Sequence, residues 1–575
     1  MTQVGRPPDA RLPSHAMDET VVYPARRVIT MNRGLPFADA VAVRDERILG
    51  VGTLAELESW GPCRVDVRFA DKVLVPGFVE AHSHVMAGGN WQNPYVGFFD
   101  RRDPQGRVWK SCGSIDEVID RLIEAESIME DPDELLVAWG LDPIYFPGER
   151  LLAKHLDRVS TTRRIFVFHA NGHLATVNTA MLHSSEITAK STTPGVARDA
   201  NGEPNGELQE AAMALASAAF RKLMAAWSSP DAKWNYAYEA RNAGHTFVTD
   251  LSPGSLAKPG QLEAWQAVTD DPTYPVRVMV AVAPAFGGPA DPVALSELAR
   301  RLRHESAAKL HFGVVKLILD GSIQGFTARL SWPYYYRPPE GHHENGLWLI
   351  APDQLTDLVT TFHAAGLIVH AHCNGDQATE AFIDAVEAAL QRHPRWDHRH
   401  TVQHCQMTTP AQYRRMAALG MCANIFSNHI YYWGDQHRDR SIGPERAAKM
   451  DACATALAEG VSMSIHSDAP VTPMGHLHTM WCAVNRLTST GQVLGPDERI
   501  SVMDALHAAT IGAAYQLKVD HLVGSIEAGK FADFAVLSDD PLTVDPVTLK
   551  DVGVWGTVVG GVPFEAGVSS GAGER

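Results

Sequence analysis

The sequence predicts an α/β fold: a (β/α)8 TIM-like barrel carrying an inserted α/β subdomain, with a small β-sandwich domain built from both termini. Three observations carry this. The middle of the chain alternates short apolar runs with helix-like segments, the rhythm of parallel strands joined by helical crossovers. Eight such runs occur, at Leu74–Val79, Thr246–Thr249, Val276–Val282, Val314–Leu319, Ile368–His372, Thr401–His404, Cys422–Phe426 and Ser462–His466. A closed barrel needs that number. Both chain ends, by contrast, read as strands and turns.

Taken in order, residues 1–19 are polar and proline-containing, have no apolar core of the kind a secretory signal needs, and are expected to be disordered, with Met17 as an alternative start. From Thr20 the β patterns are Val21–Tyr23, Arg27–Thr30, Ala40–Val43, Ile48–Gly52 and Val65–Phe69. They are matched near the far end by Phe534–Leu537, Val552–Val554 and Thr557–Val559. Residues 20–74 and 515–566 are therefore assigned to one composite β-sandwich, and 75–514 to the barrel. The interval from His84 to Thr246 is too long for one βα connection, so residues 90–240 are read as a subdomain over the barrel mouth, with strands at Leu135–Trp139 and Ile165–Phe168. Past Ala566 the chain is Gly/Ser-rich and expected to fray.

Composition narrows the function. Of the 575 residues 45% are apolar and 20% charged, a globular balance with no uninterrupted apolar run of about 18 residues to span a bilayer. A formal net charge of -17 without a basic stripe argues against nucleic acid and anionic membranes, and places no restriction on a small-molecule substrate. The 7 cysteines are odd in number, scattered and free of any Cys-x-x-Cys pair, which fits reduced thiols in a cytoplasmic protein. A homodimer or higher homo-oligomer is expected.

The chemistry gathers at the strand ends. His82 and His84 are two apart in a strand and share a face, with Ser83 on the other. Alone, such a pair is more often two core histidines than a metal corner. The fourth strand, however, carries Lys316, the fifth ends at His372, the sixth at His404, and Asp468 follows the eighth. In an α/β barrel the C-terminal strand ends meet at one mouth. Imidazole nitrogen and carboxylate oxygen form the zinc-type donor set, which leaves a position open for water. A protonated Lys316 would repel a metal, so it is either a salt-bridged lysine or one carboxylated by carbon dioxide to a carbamate that bridges two metals about 3.5–4 Å apart.

With these residues in place, the sequence resembles the amidohydrolase superfamily, and within it the large branch, amidohydrolase family 3, that includes the N-substituted formamide deformylases. The segments that carry the likeness are Pro76-Gly-Phe-Val-Glu-Ala-His-Ser-His84, Gly172-His-Leu-Ala-Thr-Val-Asn178, Val315-Lys-Leu-Ile-Leu-Asp-Gly-Ser322 with Thr327-Ala-Arg329, His372-Cys-Asn-Gly-Asp376, His398-Arg-His-Thr-Val-Gln-His404, Ser467-Asp-Ala-Pro470 and Gly524-Ser-Ile-Glu-Ala-Gly-Lys-Phe-Ala-Asp533. The resemblance implies metal ligation by His82, His84, His372, His404 and Asp468, with carboxylated Lys316 as bridge. The metal is expected to be two zinc ions, with manganese or iron as alternatives. It also implies hydrolysis of a non-peptide carbon–nitrogen bond of the amide, N-formyl or N-acyl type by metal-activated hydroxide, with Asp468 as general base and then general acid. Three positions depart from the branch pattern: Gln403 where glutamate is usual, Asn374 where an aliphatic residue is usual, and Asn428 where proline is usual.

In the insertion, His173 is a candidate catalytic contact to the substrate carbonyl and Asn178 a candidate substrate contact, unless the two tie a loop. Trp139, Asp320, Arg329 and His429 complete the candidate substrate-binding set, although Trp139 also suits the insertion's own core. The extra histidines, among them His363, His370, His437, His466, His476 and His478, have no assigned role. A mononuclear zinc deaminase is the nearest rival, but it needs a glutamate where Gly375 stands and has no use for Lys316. An esterase or lactonase would use the same attack, and a non-catalytic relative should have lost ligands that this chain retains.

Overall fold

The structure is a computed structural model that describes residues 19–146, 148, 150–251, 256, 259–284, 291–331, 334–338 and 345–567. Apart from Glu19 and Gly567, the segments expected to be disordered or frayed lie outside the described residues.

Eight parallel strands position the site: β1 Phe78–Ser83, β2 His245–Asp250, β3 Arg277–Val280, β4 Val314–Ile318, β5 Ile368–Cys373, β6 Thr401–His404, β7 Cys422–Ile425 and β8 Ser462–Ile465. Strands β1 to β3 pair in order, with the two-residue strand Leu310–His311 added in parallel beyond β3, and β4 to β8 form a second sheet in order. The two sheets meet at both edges. Val282 donates to Val314 O and Lys316 to Val282 O, each at 2.9 Å; at the other edge His84 donates to Ala469 O at 2.8 Å and Asp468 to His82 O at 3.2 Å.

Strand alternation divides the side chains. Val315, Leu317, Val369, Ala371, Val402, Ala423, Met463 and Ile465 enter the large apolar core with the surrounding helices. Lys316, His370, His372, Gln403, Asn424 and Ser464 take the opposite face, which is buried and polar. A buried polar face is tolerable only when its members bond one another, and here they do, as described below.

Strands from both chain ends share one sheet: Val21–Ile29, Phe37–Arg44, Arg47–Gly52, Arg64–Val65 and Val73–Pro76 with Phe534–Leu537, Val554–Val559 and Val562–Glu565. Its Arg47–Gly52 edge bonds back to the other end, since Ile48 donates to Lys530 O at 2.9 Å and Gly529 to Ile48 O at 2.8 Å.

Three sequence expectations are corrected. The first strand does not run through Leu74–Val79. It breaks at Gly77 into Val73–Pro76, paired with Phe534–Leu537, and β1 in the parallel sheet. Gly77 is needed there, because a Cβ would stand 1.9 Å from Thr246 Oγ1. Val65–Phe69 is not one strand: the Asp66 carboxylate accepts from Arg68 N at 3.2 Å and turns Val67–Phe69 into a 3-10 helix. Val552–Val554 and Thr557–Val559 are not separate strands either, since one strand covers Val554–Val559 and pairs with Val562–Glu565.

One ion pair joins the terminal sheet to the parallel one. Arg277 on β3 makes two hydrogen bonds with Asp533, 2.8 and 3.0 Å, with side chains 1% and 2% exposed, and its guanidinium lies 3.5 Å from the centre of the Phe531 ring. Arg277→Leu leaves Asp533 buried and half-partnered. It should lower unfolding free energy by about 3–5 kcal/mol, measured by urea unfolding, with restoration of most of the loss when Asp533→Leu is added.

Between β1 and β2 the chain builds a five-stranded sheet in the order Val196–Arg198, Pro204–Gln209, Leu174–Val177, Ile165–His169 and Leu136–Leu141. Its first and last helices pack together beside β1: a Cβ on Gly88 of Met86–Asn90 would meet Ala232 O of Pro230–Asn242 at 2.0 Å. The inserted segment touches the helix His429–Gln436 that follows β7 through Tyr145, whose hydroxyl donates to Tyr432 O at 2.7 Å, and Asp142, which accepts from Trp433 Nε1 at 2.9 Å.

Candidate metal centre and active site

The six ligands predicted from the sequence form one contact network at the C-terminal strand ends. Asp468 Oδ1 lies 3.3 Å from His82 Nε2 and 3.2 Å from His84 Nε2, and its Oδ2 lies 3.9 Å from His404 Nδ1. Lys316 Nζ is 3.3 Å from His82 Nε2, and the rings of His372 and His404 are 4.4 Å apart. Ser83 points away, bonding Tyr236 Oη at 2.6 Å.

Strand period alone would not aim all of these. His404 follows the inward Gln403 and by alternation should point outward with Val402; its φ of +76° turns it back beside His82, at a ring separation of 4.6 Å. Asp468 is likewise left-handed, at φ +56°. Such backbone costs about 1–3 kcal/mol per residue outside glycine, and here it falls on two candidate ligands. The turn carrying Asp468 is braced from the inserted segment, because Arg101 donates to Pro470 O at 2.7 Å and Thr472 O at 3.2 Å.

Burial sets the charge states. It holds His82, His372 and His404 well below the ordinary histidine value, with Lys316 adding to the effect, so all three are neutral and in the form that binds metals. Lys316 itself is lowered by burial to about 7, against a raising pull from Asp468. Glu80, one strand turn below His82, is raised by burial to about 8 despite accepting from Ser467 and His82.

These residues fit a divalent cation. His82 donates from Nδ1 to Gln403 Oε1 at 2.7 Å, so its Nε2 lone pair faces the Asp468 carboxylate, an arrangement that is repulsive unless positive charge lies between them. His404 Nε2 and Asp468 Oδ1 are buried without a hydrogen-bond partner among the described residues. Two three-donor sets arise here, His82/His84/Asp468 and His82/His404/His466, each with ligand atoms within 4.8 Å of one another. A third, Glu80/His245/His476, fits a cation poorly, because Glu80 is engaged as above and both His476 nitrogens are bonded, to Val79 O and Thr479 Oγ1.

The remaining sequence candidates divide. His173 reaches the site: Glu210 holds it at 3.0 Å, and although burial lowers its pKa, Glu210, Asp468 and Asp320 together raise it above the ordinary value. Asp320 lies 3.7 Å from His372 Nε2, but its oxygens are taken by the backbone N–H groups of Arg329, Asn374 and Gly375. Arg329 donates to Asn345 Oδ1 and Gly346 O, and so ties a loop rather than presenting a free cation. Asn178 caps the helix Thr179–Ser184 and bonds Ile165 N and Arg163 O, which is the loop-tying alternative. Trp139 packs in the core of the inserted sheet, 5.0 Å from the rings of Trp91 and Tyr95. His429 is buried, bonds His437 at 3.0 Å and stacks on Trp433 at 4.4 Å.

Of the histidines left without a role by the sequence, His466 lies against the candidate ligands. Its Nε2 lies 3.1 Å from His404 Nδ1 and its ring stacks on His82 at 4.8 Å. Its signal was the same two-residue spacing, to Asp468, that singled out His82 and His84. His363, His398 and His400 instead form a hydrogen-bonded group that also bonds Leu419 O and His393 O. Beside the centre, Phe98, Phe99, Tyr145, Tyr432 and Trp433, with Arg101, line a narrow cleft of about 30 Å³.

An α/β chain with a histidine–aspartate centre at the ends of parallel strands defines a metal-dependent hydrolase. A family model described as "Amidohydrolase family" matches residues 70–564, and the chain belongs to that family. It is 28% identical over 526 residues to Protein LONG AFTER FAR-RED 3 of Arabidopsis thaliana, covering 89% of this chain and 86% of the relative. It is 26% identical to the N-substituted formamide deformylase of Arthrobacter pascens, covering 91% and 94%. In fold it is similar to an uncharacterised metal-dependent hydrolase from Pyrococcus horikoshii, with a TM-score of 0.68 at 19% identity over 92% of this chain and 99% of that one. Among the described residues no helix is long and apolar enough to cross a membrane.

Proposed function

We propose that the chain is a (β/α)8-barrel hydrolase of a non-peptide carbon–nitrogen bond, of the amide, N-formyl or N-acyl type, with its site at the barrel mouth under an inserted α/β subdomain. The single observation that carries this is the buried convergence of Asp468 on His82 and His84, with the His82 Nε2 lone pair turned to the carboxylate, which calls for a cation. The edge hydrogen bonds between the two parallel sheets support the closed barrel, and the composite terminal sheet supports a separate β-sandwich domain. The name of the deformylase relative supports the bond type.

His82, His84, His372, His404, Asp468 and carboxylated Lys316 would hold the cation, two zinc ions in the first instance. When bound, a divalent metal supplies Lewis acidity, polarising a carbonyl oxygen and lowering the pKa of water from about 15.7 toward about 7. Asp468 accepts a proton from the attacking water on a carboxylate oxygen and returns it to the leaving nitrogen, so that the amine departs neutral. His173, whose pKa burial lowers but Glu210 raises above the ordinary histidine value on balance, would donate toward the substrate carbonyl oxygen and stabilise the charge that develops there. The aromatic side chains that line the narrow cleft would contact the apolar substituent of the amide at its mouth.

The test is a panel of N-formyl and N-acyl amines with alkyl and aryl substituents, each beside its matching ester, assayed with chelator-treated and zinc-restored protein. Amides should be hydrolysed only after restoration, aryl members with the lower KM. Turnover of esters alone would overturn the bond assignment, and full activity in the chelated protein would overturn the metal.

A further inference from the structure

Resting on the metal-centre reading above, we infer that Gln403 is a positioning residue, held by a buried uncharged file through Asn424 and Ser464, that fixes His82 in the tautomer whose bare Nε2 faces the cation. Gln403 Oε1 lies 2.7 Å from His82 Nδ1. An amide oxygen carries no proton, so Nδ1 must be the donor and Nε2 the acceptor. Without this bond, the His82 proton is free to sit on Nε2, where it opposes ligation and meets Lys316 Nζ at 3.3 Å.

The Gln403 amide is bonded at both its oxygen and its nitrogen. Its Oε1 also accepts from Asn424 Nδ2 at 2.8 Å, and its Nε2 donates to His370 Nδ1 at 2.8 Å. A flipped amide would set its NH2 against both the NH2 of Asn424 and the Nδ1–H of His82. The file continues from Asn424, whose Oδ1 lies 2.8 Å from Ser464 Oγ, and that hydroxyl, with one proton to give, also lies 2.8 Å from Gln516 Oε1. All of these side chains are 0–1% exposed. Three neighbouring strands, β6, β7 and β8, thus each supply one member of a file that ends on the His82 ring. None of the three members is charged, so the file sets a proton's position without placing a net charge beside Lys316.

The file makes predictions at Gln403, which touches His82, and at Asn424, which touches no candidate ligand. Zinc affinity is measured by competition with a chromophoric chelator, together with metal content at saturation. Gln403→Leu should weaken zinc binding about 10–100-fold, with the metal content at saturation unchanged. Asn424→Leu, which frees the Gln403 amide to flip, should give a smaller loss in the same direction. Gln403→Glu, which keeps an acceptor oxygen on Nδ1, should stay within about threefold of the unaltered protein. Circular dichroism and the melting temperature of each metal-free variant separate a binding defect from a folding one, and Gln403→Glu shows whether an acceptor at this position suffices. If Gln403→Leu binds zinc as tightly as the unaltered protein, or Gln403→Glu is as weak as Gln403→Leu, the positioning role is overturned. If the unaltered protein binds no divalent metal, the proposed function falls instead.

Discussion

Asp468→Asn is expected to lower kcat by about 10³, within the range of about 10²–10⁴ that loss of a positioned proton acceptor and donor brings. Asparagine has nearly the shape of aspartate, and the turn that presents it is held independently by Arg101 at Pro470 O and Thr472 O, so the loop should keep its course. What disappears is the negative charge that faces His82 and His84, and with it the only carboxylate among the six predicted ligands. Two effects are therefore mixed, weaker metal binding and lost proton transfer, and they separate at saturating zinc. Metal content should recover there while kcat stays low, because added zinc cannot move the water's proton to the leaving nitrogen. Retention of more than a tenth of kcat at full metal occupancy would remove Asp468 from proton transfer. Recovery of full kcat at high zinc would leave it as a ligand only.

Strands β5 to β8 were legible to within a residue at their ends, and for a physical reason. Each is a short, β-branched or apolar run closed by turn residues, and each ends on a residue whose chemistry stands out: His372, His404, Ile425 before Phe426, and Ile465 before His466. The same pattern misled at the N-terminal side. Val73 to Ser83 is continuous in hydrophobicity, yet Gly77 lets the chain pass Thr246 and change sheets, and nothing in local pattern reports a neighbour that is 169 residues away in sequence. Val65 to Phe69 alternates as a strand should, but Asp66 uses its own carboxylate to cap a 3-10 turn, a local bond that outcompetes the sheet.

At the site, the candidate ligand types were visible because strand ends converge by topology. What could not be seen was aim. The left-handed backbone at His404 and Asp468 is a tertiary outcome, and without it alternation would send His404 to the helix side with Val402. Asn178 and Arg329 looked like substrate contacts because polar residues near a mouth usually face it. In the structure Asn178 is bonded to Ile165 N and Arg163 O, and Arg329 to Asn345 Oδ1 and Gly346 O. His466 carried the right spacing to Asp468, but one histidine among 26 has little weight until the rings beside it are known.

Lys316→Ala carries the second large effect: metal content should fall by at least one equivalent per chain and activity with it, and short-chain acids supplied in bicarbonate should restore part of both. A lysine buried on the polar face of β4, about 2% exposed and 3.3 Å from an imidazole nitrogen, has no carboxylate in salt-bridge contact among the described residues. Burial answers by lowering its pKa to about 7, which leaves much of it as a neutral amine at neutral pH. That amine can attack carbon dioxide: the nitrogen lone pair forms the N–C bond, one proton leaves the nitrogen, and an anionic carbamate takes the place of a cation. The sign of the pH dependence follows. Above about pH 7 the amine is free and carboxylation proceeds; below it the neutral fraction falls about tenfold per pH unit. Reconstitution of metal-free protein with zinc and bicarbonate should therefore slow steeply from pH 7 to 5, while Lys316→Ala rescued by an added acid should lack that slope down to the pKa of the acid itself. Unchanged metal content in Lys316→Ala, or reconstitution that ignores bicarbonate, would return Lys316 to the role of a buried, neutral amine and leave the imidazoles and Asp468 to hold the metal without it.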